Sequence, residues 1–253
     1  DSNDENVWAH WSRGNYGPGD WSGSHNDLAA GVDLYHTDHS RAGISVMHTN
    51  SSLDRTENLG EVSMKKKFTR VSLYGRHDFA GGLYAAGDVF AGGIRIKDTS
   101  LVDMSTRTAG VHAEVCVDVP AGRGTITPLV RAAYAGIRGF TTKDGEGFPF
   151  TMKESHYSSF SAGLKASLPL SPVSLLTAYA GWGIRTGYDI DGTMSDAWNT
   201  MDISESGKEH VKTLGIGYRC DVTPFARLSL SAAREFSSGL HDDWNFQVSA
   251  AYK

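Results

Sequence analysis

The chain has 253 residues, enough for one large β domain or two ordinary domains. Its net charge of -5 argues against a general nucleic-acid binder. At 40% hydrophobic residues and a mean hydropathy of -0.33, no stretch reaches the run of about 18 apolar residues that a membrane-crossing helix needs.

Membrane strands escape that test, because alternating apolar and polar residues average out on hydropathy. The 29 Gly, 10 Tyr and 6 Trp suit tight turns, close strand packing and interfacial aromatics. The opening Asp1-Ser2-Asn3-Asp4-Glu5 is polar and acidic, not a signal peptide, so a mature or excised segment is expected.

Asn6 to Gly14, with Trp8 and Trp11, reads as a first strand, followed by a Gly/Pro/Asn loop at 15–25. Leu28, Ala30, Val32 and Leu34 alternate with Ala29, Gly31, Asp33 and Tyr35 in a second strand, and Asp38-His39-Ser40 turns. Ala42, Ile44 and Val46 mark a third strand before a polar loop at 51–63. The fourth, over 65–79, sets Thr69, Val71 and Leu73 against Arg70, Ser72, Tyr74 and Arg76.

Ala80-Gly81-Gly82 turns into a fifth strand over 83–96, and a loop at 97–106 leads to a sixth. There Ala109, Val111, Ala113, Val115 and Val117 oppose His112, Glu114, Cys116 and Asp118. Pro120 to Gly124 turns into a seventh strand, 125–140, and a loop at 141–153 follows. The eighth strand sets Phe160, Ala162, Leu164, Ala166 and Leu168 on one face. Ser171-Pro172-Val173 leads to a ninth with Leu176, Ala178, Ala180, Trp182 and Ile184, then to the longest loop, 188–207. A tenth carries Leu214, Ile216, Tyr218 and Cys220; Thr223-Pro224-Phe225 turns into an eleventh, 226–237.

The last strand, Asp242 to Lys253, places Trp244, Phe246, Val248, Ala250 and Tyr252 on one parity and Asn245, Gln247, Ser249 and Ala251 on the other. The tally is about twelve strands, with loops of roughly ten or more residues alternating with turns of roughly three to five, as in an up-and-down membrane barrel. The strands run about ten to fifteen residues, beyond the ~5–6 of globular sheets and matching the 9–11 of a tilted membrane strand. The fold class expected is all-β: one transmembrane antiparallel barrel over residues 1–253. An even strand count puts both termini and the short turns at 38–40, 80–82, 120–124, 169–173 and 222–226 in the periplasm. Cys116 and Cys220 fall on different faces, so no bridge between them is expected.

The C-terminal strand resembles the closing strand of bacterial outer-membrane barrels, with Tyr252 and Lys253 matching the two positions before a usual last Phe. Ala30-Gly31-Val32-Asp33-Leu34-Tyr35, Val71-Ser72-Leu73-Tyr74-Gly75, Gly82 to Val89 and Ile126 to Tyr134 carry a wider resemblance, to the translocator domain of autotransporters (type V secretion). That resemblance implies insertion into the outer membrane with help from the barrel assembly machinery and passage of an N-terminal passenger to the cell surface. In that family a linker helix fills the pore before the first strand; only a few residues precede it here, so helix and passenger are expected to lie outside this chain. A monomer is expected.

With apolar parity facing lipid, the opposite parity lines the lumen: Asp33, Arg70, Arg76, Asp88, Glu114, Arg131, Lys165, Arg185 and Arg219. Mixed charge suits a hydrated channel that holds an extended polypeptide without gripping it, and also suits a diffusion channel for small solutes, the alternative function. Some family members cut their own linker with lumen acids; with no linker Asn in this chain, Asp33, Asp88 and Glu114 are assigned no catalysis. Lys65-Lys66-Lys67 opens the fourth strand at its outer end, where lipopolysaccharide phosphates lie in an outer membrane.

Other motifs carry no chemistry. Asp189-Ile190-Asp191-Gly192 is similar to a calcium loop but lacks the downstream Glu, and Gly181-Trp182-Gly183 has no following helix. His48-Thr49-Asn50-Ser51 comes nearest to the His and Ser of an outer-membrane phospholipase, but Ser51 has the wrong parity. The ten His are scattered, so no metal, cofactor or enzyme activity is expected.

Overall fold

The computed structural model describes residues 6–16, 21–57, 60–98, 103–143, 149–187, 190–195, 200–205, 207–237 and 242–252. In chain order the strands are β1 (Val7–Tyr16), β2 (Trp21–His36), β3 (Ser40–Glu57), β4 (Gly60–Asp78), β5 (Leu83–Asp98), β6 (Asp103–Val117), β7 (Val119–Ala121), β8 (Gly124–Ile137) and β9 (Phe140–Lys143). There follow β10 (Pro149–Met152), β11 (Ser155–Ser171), β12 (Ser174–Thr186), β13 (Ile190–Ser195), β14 (Thr200–Glu205), β15 (Lys208–Asp221), β16 (Ala226–Ser237) and β17 (Asp242–Tyr252).

Twelve of these pair antiparallel into one closed sheet. Starting at β11 the order is β12, β15, β16, β17, β1, β2, β3, β4, β5, β6 and β8, and β8 returns to β11 from Ile137↔Ser155 to Thr125↔Ser167. The chain ends meet where β1 pairs with β17, from Val7↔Tyr252 to Asn15↔Trp244. Closure gives every wall strand a hydrogen-bonded neighbour on both sides, so the wall has no open edge, as hydrocarbon demands.

The alternation that defines each strand also decides where apolar surface goes. Val115 (47% exposed), Leu164 (55%) and Phe246 (38%) stand on the outside, with no protein layer over them. The inside holds one small apolar cluster, Tyr84, Cys116 and Leu129, with Tyr179 packed against it. A soluble sandwich reverses this arrangement, so the greasy face is built to meet lipid. The Cys116 and Cys220 thiols are both free, the first buried among these inward side chains.

Small residues let large inward aromatics lie flat on the wall. A Cβ on Gly43 (β3) would come within 2.5 Å of the Tyr74 hydroxyl, and one on Gly31 (β2) within 2.5 Å of the Trp8 ring. Tyr179 lies against Gly163 in the same manner, at 2.7 Å. At the turn between β4 and β5, Gly81 (φ 74) and Gly82 (φ 80) adopt the left-handed backbone that closes a one-turn 3-10 helix.

Three expectations need correction. In their described residues, the segments read as loops at 15–25, 51–63 and 97–106 are strand: β3 and β4 pair as far as Glu57↔Gly60, with Ser63 donating to Asp54 at 2.6 Å. Above the bilayer both faces of a strand meet water, so the apolar alternation fades while the hydrogen-bond ladder continues. Second, the regions read as loops at 141–153 and 188–207 contribute β9, β10, β13 and β14, which form a separate four-stranded sheet at the end opposite the short turns. Third, alternation along the second strand puts Tyr35 on the inward face with Asp33. A register shift between Asp33 and Tyr35 turns it outward, 57% exposed, because one unpaired residue inverts the parity of all that follow. The Asp189 to Gly192 stretch begins outside the described residues.

Candidate functional site

The inward face carries charge arranged in pairs. Glu114 on β6 and Arg131 on β8 are direct register partners, and the guanidinium donates to the carboxylate. Asp88 on β5 faces His112 on β6 across another register pair, at 3.5 Å. At the end with short turns, Arg76 Nε donates to Asp78 at 2.7 Å and Arg227 Nε to Asp221 at 2.6 Å. Arg185 on β12 reaches over β15 to Glu235 on β16, with Nη2 2.6 Å from Oε2. Facing charges in a confined, half-buried space repel or attract more strongly than in bulk water, so a stable wall neutralises them locally.

Aromatic rings hold the guanidiniums against that wall. Arg76 lies 3.9 Å from the Tyr84 ring centroid, Arg70 4.9 Å from Phe90 and Arg131 5.3 Å from Tyr179. A second device joins β1, β4 and β2: Trp8 Nε1 donates to the Tyr74 hydroxyl at 3.0 Å, which donates to Asp33 at 2.5 Å. These chains tie together strands that are not neighbours in the sheet.

Between the walls lie open spaces. One of 410 Å3 is bounded by Trp8, His10, Arg41, Tyr74, Arg219 and Arg227. Another of 500 Å3 is lined by Arg76, Asp78, Asp118, Thr127, Lys165 and Arg219. Arg219 borders both.

All nine residues expected to line the lumen share the inward, half-buried parity of their strands. The structure brings Glu114 to Arg131 and puts Lys165 and Arg219 on one cavity; it separates Asp33, Asp88 and Arg185 from one another. Sequence reasoning missed Asp78, Glu235, Arg227, Tyr74, Tyr84 and Tyr179. Applying parity to β16, whose Leu228 and Leu230 point outward, would have found Arg227 and Glu235.

Trp244, Phe246, Val248, Ala250 and Tyr252 of β17 all lie on the outward parity; Trp11 of β1 meets Phe246 edge to face with centroids 6.3 Å apart. At the rim away from the short turns, the Arg95 guanidinium hydrogen-bonded to Asp103 holds that carboxyl below the ordinary Asp range, with Lys97 adding to the effect. His48 hydrogen-bonds Thr69 at 2.8 Å, with Ser51 on the opposite parity. Among the described residues no group of three His, Cys, Asp or Glu side chains is placed to hold a metal ion.

Comparison with known proteins settles what the barrel is. The chain is similar to the β domain of the Bordetella autotransporter BrkA: TM-score 0.75, 15% identity, 98% of this chain and 99% of that one covered. It overlays the transport unit of the autotransporter AIDA-I from Escherichia coli with TM-score 0.75 at 16% identity, covering 100% of this chain and 92% of that one. The translocator domain of NalP from Neisseria meningitidis gives TM-score 0.69 at 16% identity, with 100% and 90% covered. No curated protein sequence matches. The model of the Autotransporter beta-domain family matches residues 6–233, and the diffusion-channel alternative has no comparable support. This chain therefore belongs to the autotransporter β-domain family, a family of transport barrels, and is a translocator domain of the bacterial outer membrane that serves secretion of an N-terminal passenger.

Proposed function

We propose that the lumen of this barrel accommodates an extended segment of its own passenger and linker, and that Asp33, Arg70, Arg76, Asp88, Glu114, Arg131, Lys165, Arg185 and Arg219 form its path. The observation that carries this reading is the pairing of inward charge around open cavities of 410 and 500 Å3. A wall on which Arg76, Arg131, Arg185 and Arg227 already hold carboxylates presents polar surface with its net attraction reduced, so a passing chain is wetted but not retained. Lys165 and Arg219, on the larger cavity, meet the chain first on the short-turn side, which faces the periplasm. The inward carboxylates serve these ion pairs and hydrogen bonds, and no cleavage step is assigned to them.

The outward residues of β17, Trp244, Phe246, Val248, Ala250 and Tyr252, act as the signal read by the barrel assembly machinery before β17 closes on β1. With every wall strand paired the barrel functions as a monomer, packed against outer-membrane lipid and lipopolysaccharide.

The test is surface display. The chain, fused behind a passenger and its linker and expressed in a Gram-negative host, exposes the passenger to external protease; passenger retained in the periplasm despite a folded barrel refutes the reading. Single-channel conductance of the purified barrel, with and without the upstream linker, reports occupation of the lumen: the linker lowers conductance if the lumen holds it and leaves it unchanged otherwise.

A further inference from the structure

The outward face of four consecutive strands, β4, β5, β6 and β8, carries a cluster of cations that outnumbers the carboxylates paired with it among the described residues. Lys67 on β4 stands directly opposite Arg95 on β5, and Lys65 directly opposite Lys97. On the far side of β5, Arg107 of β6 adjoins Arg138, whose backbone N–H donates to the Arg107 carbonyl at 2.9 Å. All six are exposed and share the outward parity of Val71, Val89, Val111 and Tyr134.

Among the described residues one carboxylate is paired with the group. Asp103 accepts from Arg95 at 2.9 Å and 2.7 Å in a fork and lies 3.1 Å from Lys97. This clamp fixes two cations in place and leaves the patch strongly positive. Like charges directly opposite each other across strands destabilise a sheet unless something else lies between them.

Height says what lies there. The six residues sit roughly ten to fourteen positions along their strands from the short turns, where a tilted strand, after about 9–11 residues, leaves the hydrocarbon. They stand outside the barrel at the level of the outer-leaflet headgroups. The opposite wall differs: Lys212 on β15 has Trp182 and Phe236 as its register partners, not a second cation.

Resting on the outer-membrane barrel reading, we propose that Lys65, Lys67, Arg95, Lys97, Arg107 and Arg138 form a docking site for the phosphate groups of a phosphorylated glycolipid of the outer leaflet, lipopolysaccharide. Arg95, held in place by Asp103, and the Lys65–Lys97 and Lys67–Arg95 pairs supply N–H donors from two strands to one phosphate oxygen cluster.

The test uses the whole barrel in neutral detergent micelles, with binding of bis-phosphorylated lipid A and of its phosphate-free counterpart measured by native mass spectrometry. The phosphorylated lipid binds in preference, and K65Q/K67Q/R95Q/K97Q weakens it by roughly tenfold or more, while K208Q/K212Q on the opposite wall does not. Equal binding of the two lipids, or equal loss in both variants, overturns the proposal. Inorganic phosphate that competes as well as lipid A at equal concentration also overturns it, since the site is then for a free anion. The lipid comparison in the unmodified protein needs no variant to fold, and heat-modifiable migration reports barrel formation separately. A folded, displaying barrel without phosphate preference thus sinks this site and leaves the translocator reading intact.

Discussion

The two faces of the wall treat charge in opposite ways. Inside, Glu114 and Arg131, Asp221 and Arg227, and Asp88 and His112 are register partners of unlike character. Outside, at the far rim, register partners are Lys67 and Arg95, Lys65 and Lys97. The difference follows from where each face finds its counter-charge. A lumen that must let a chain slide past neutralises itself, whereas a rim embedded among anionic headgroups takes its neutralisation from the membrane.

The largest expected effect comes from forcing charge onto the lipid face. Leu164→Arg, on the exposed outward side of β11 midway between its ends, costs roughly 2–4 kcal/mol, read as the shift in urea midpoint for unfolding from lipid vesicles. A shift no larger than that of an inward Lys165→Gln would remove the distinction between faces.

Next is a broken inner pair. Glu114→Gln leaves Arg131 without its carboxylate and costs about 1–3 kcal/mol, while the double change Glu114→Gln with Arg131→Gln recovers part of that loss. A double-mutant cycle with no coupling would mean that the two side chains merely share the lumen.

Packing on the inner wall comes third. Gly43→Ala drives a methyl into Tyr74 and into the Val32 carbonyl, costing about 1–3 kcal/mol and loosening the Trp8–Tyr74–Asp33 chain. Folding kinetics into vesicles follow the same direction; unchanged stability would show that Tyr74 has room to move.

The smallest effect is at the rim. Because Arg95 lowers the Asp103 carboxyl, their contact contributes in full above the ordinary Asp range and fades only as pH falls through the lowered value. The rim clamp therefore stays intact between about pH 5 and 8, and an NMR titration of Asp103 moves up toward the usual value of about 3.9 in Arg95→Gln. No upward movement would mean that Lys97 alone holds it.

Much of this was legible in the chain. Strict alternation in β6, β11 and β17 told both that these segments are strands and which side chains face out, since only one extended geometry puts Val115, Leu164 or Phe246 on a common face. The short turns were equally readable, because Gly81, Gly82 and Gly122 supply backbone conformations other residues avoid. The nine inward charges followed from parity alone. Their partners did not: Arg185 meets Glu235 over an intervening strand and Trp8 meets Tyr74 across two, contacts set by barrel curvature.

The same limit explains the misread loops and Tyr35. Where both faces of a strand are wet, as from Ser51 to Glu57, no hydrophobic pattern marks it, and only a partner strand supplying hydrogen bonds shows that it is extended. A bulge such as that at Leu34 is invisible for a related reason, because it depends on the register of β3.

The amino-acid sequence by itself determined the number of wall strands, the facing of their apolar midsections and the short turns, since alternation and turn chemistry are local properties of the chain. Only the closed tertiary structure decided which inward charges pair, which strands the outer sheet joins, and that cations on neighbouring strands stand opposite one another. Those outcomes depend on register between segments far apart in sequence, and register is a property of the whole barrel.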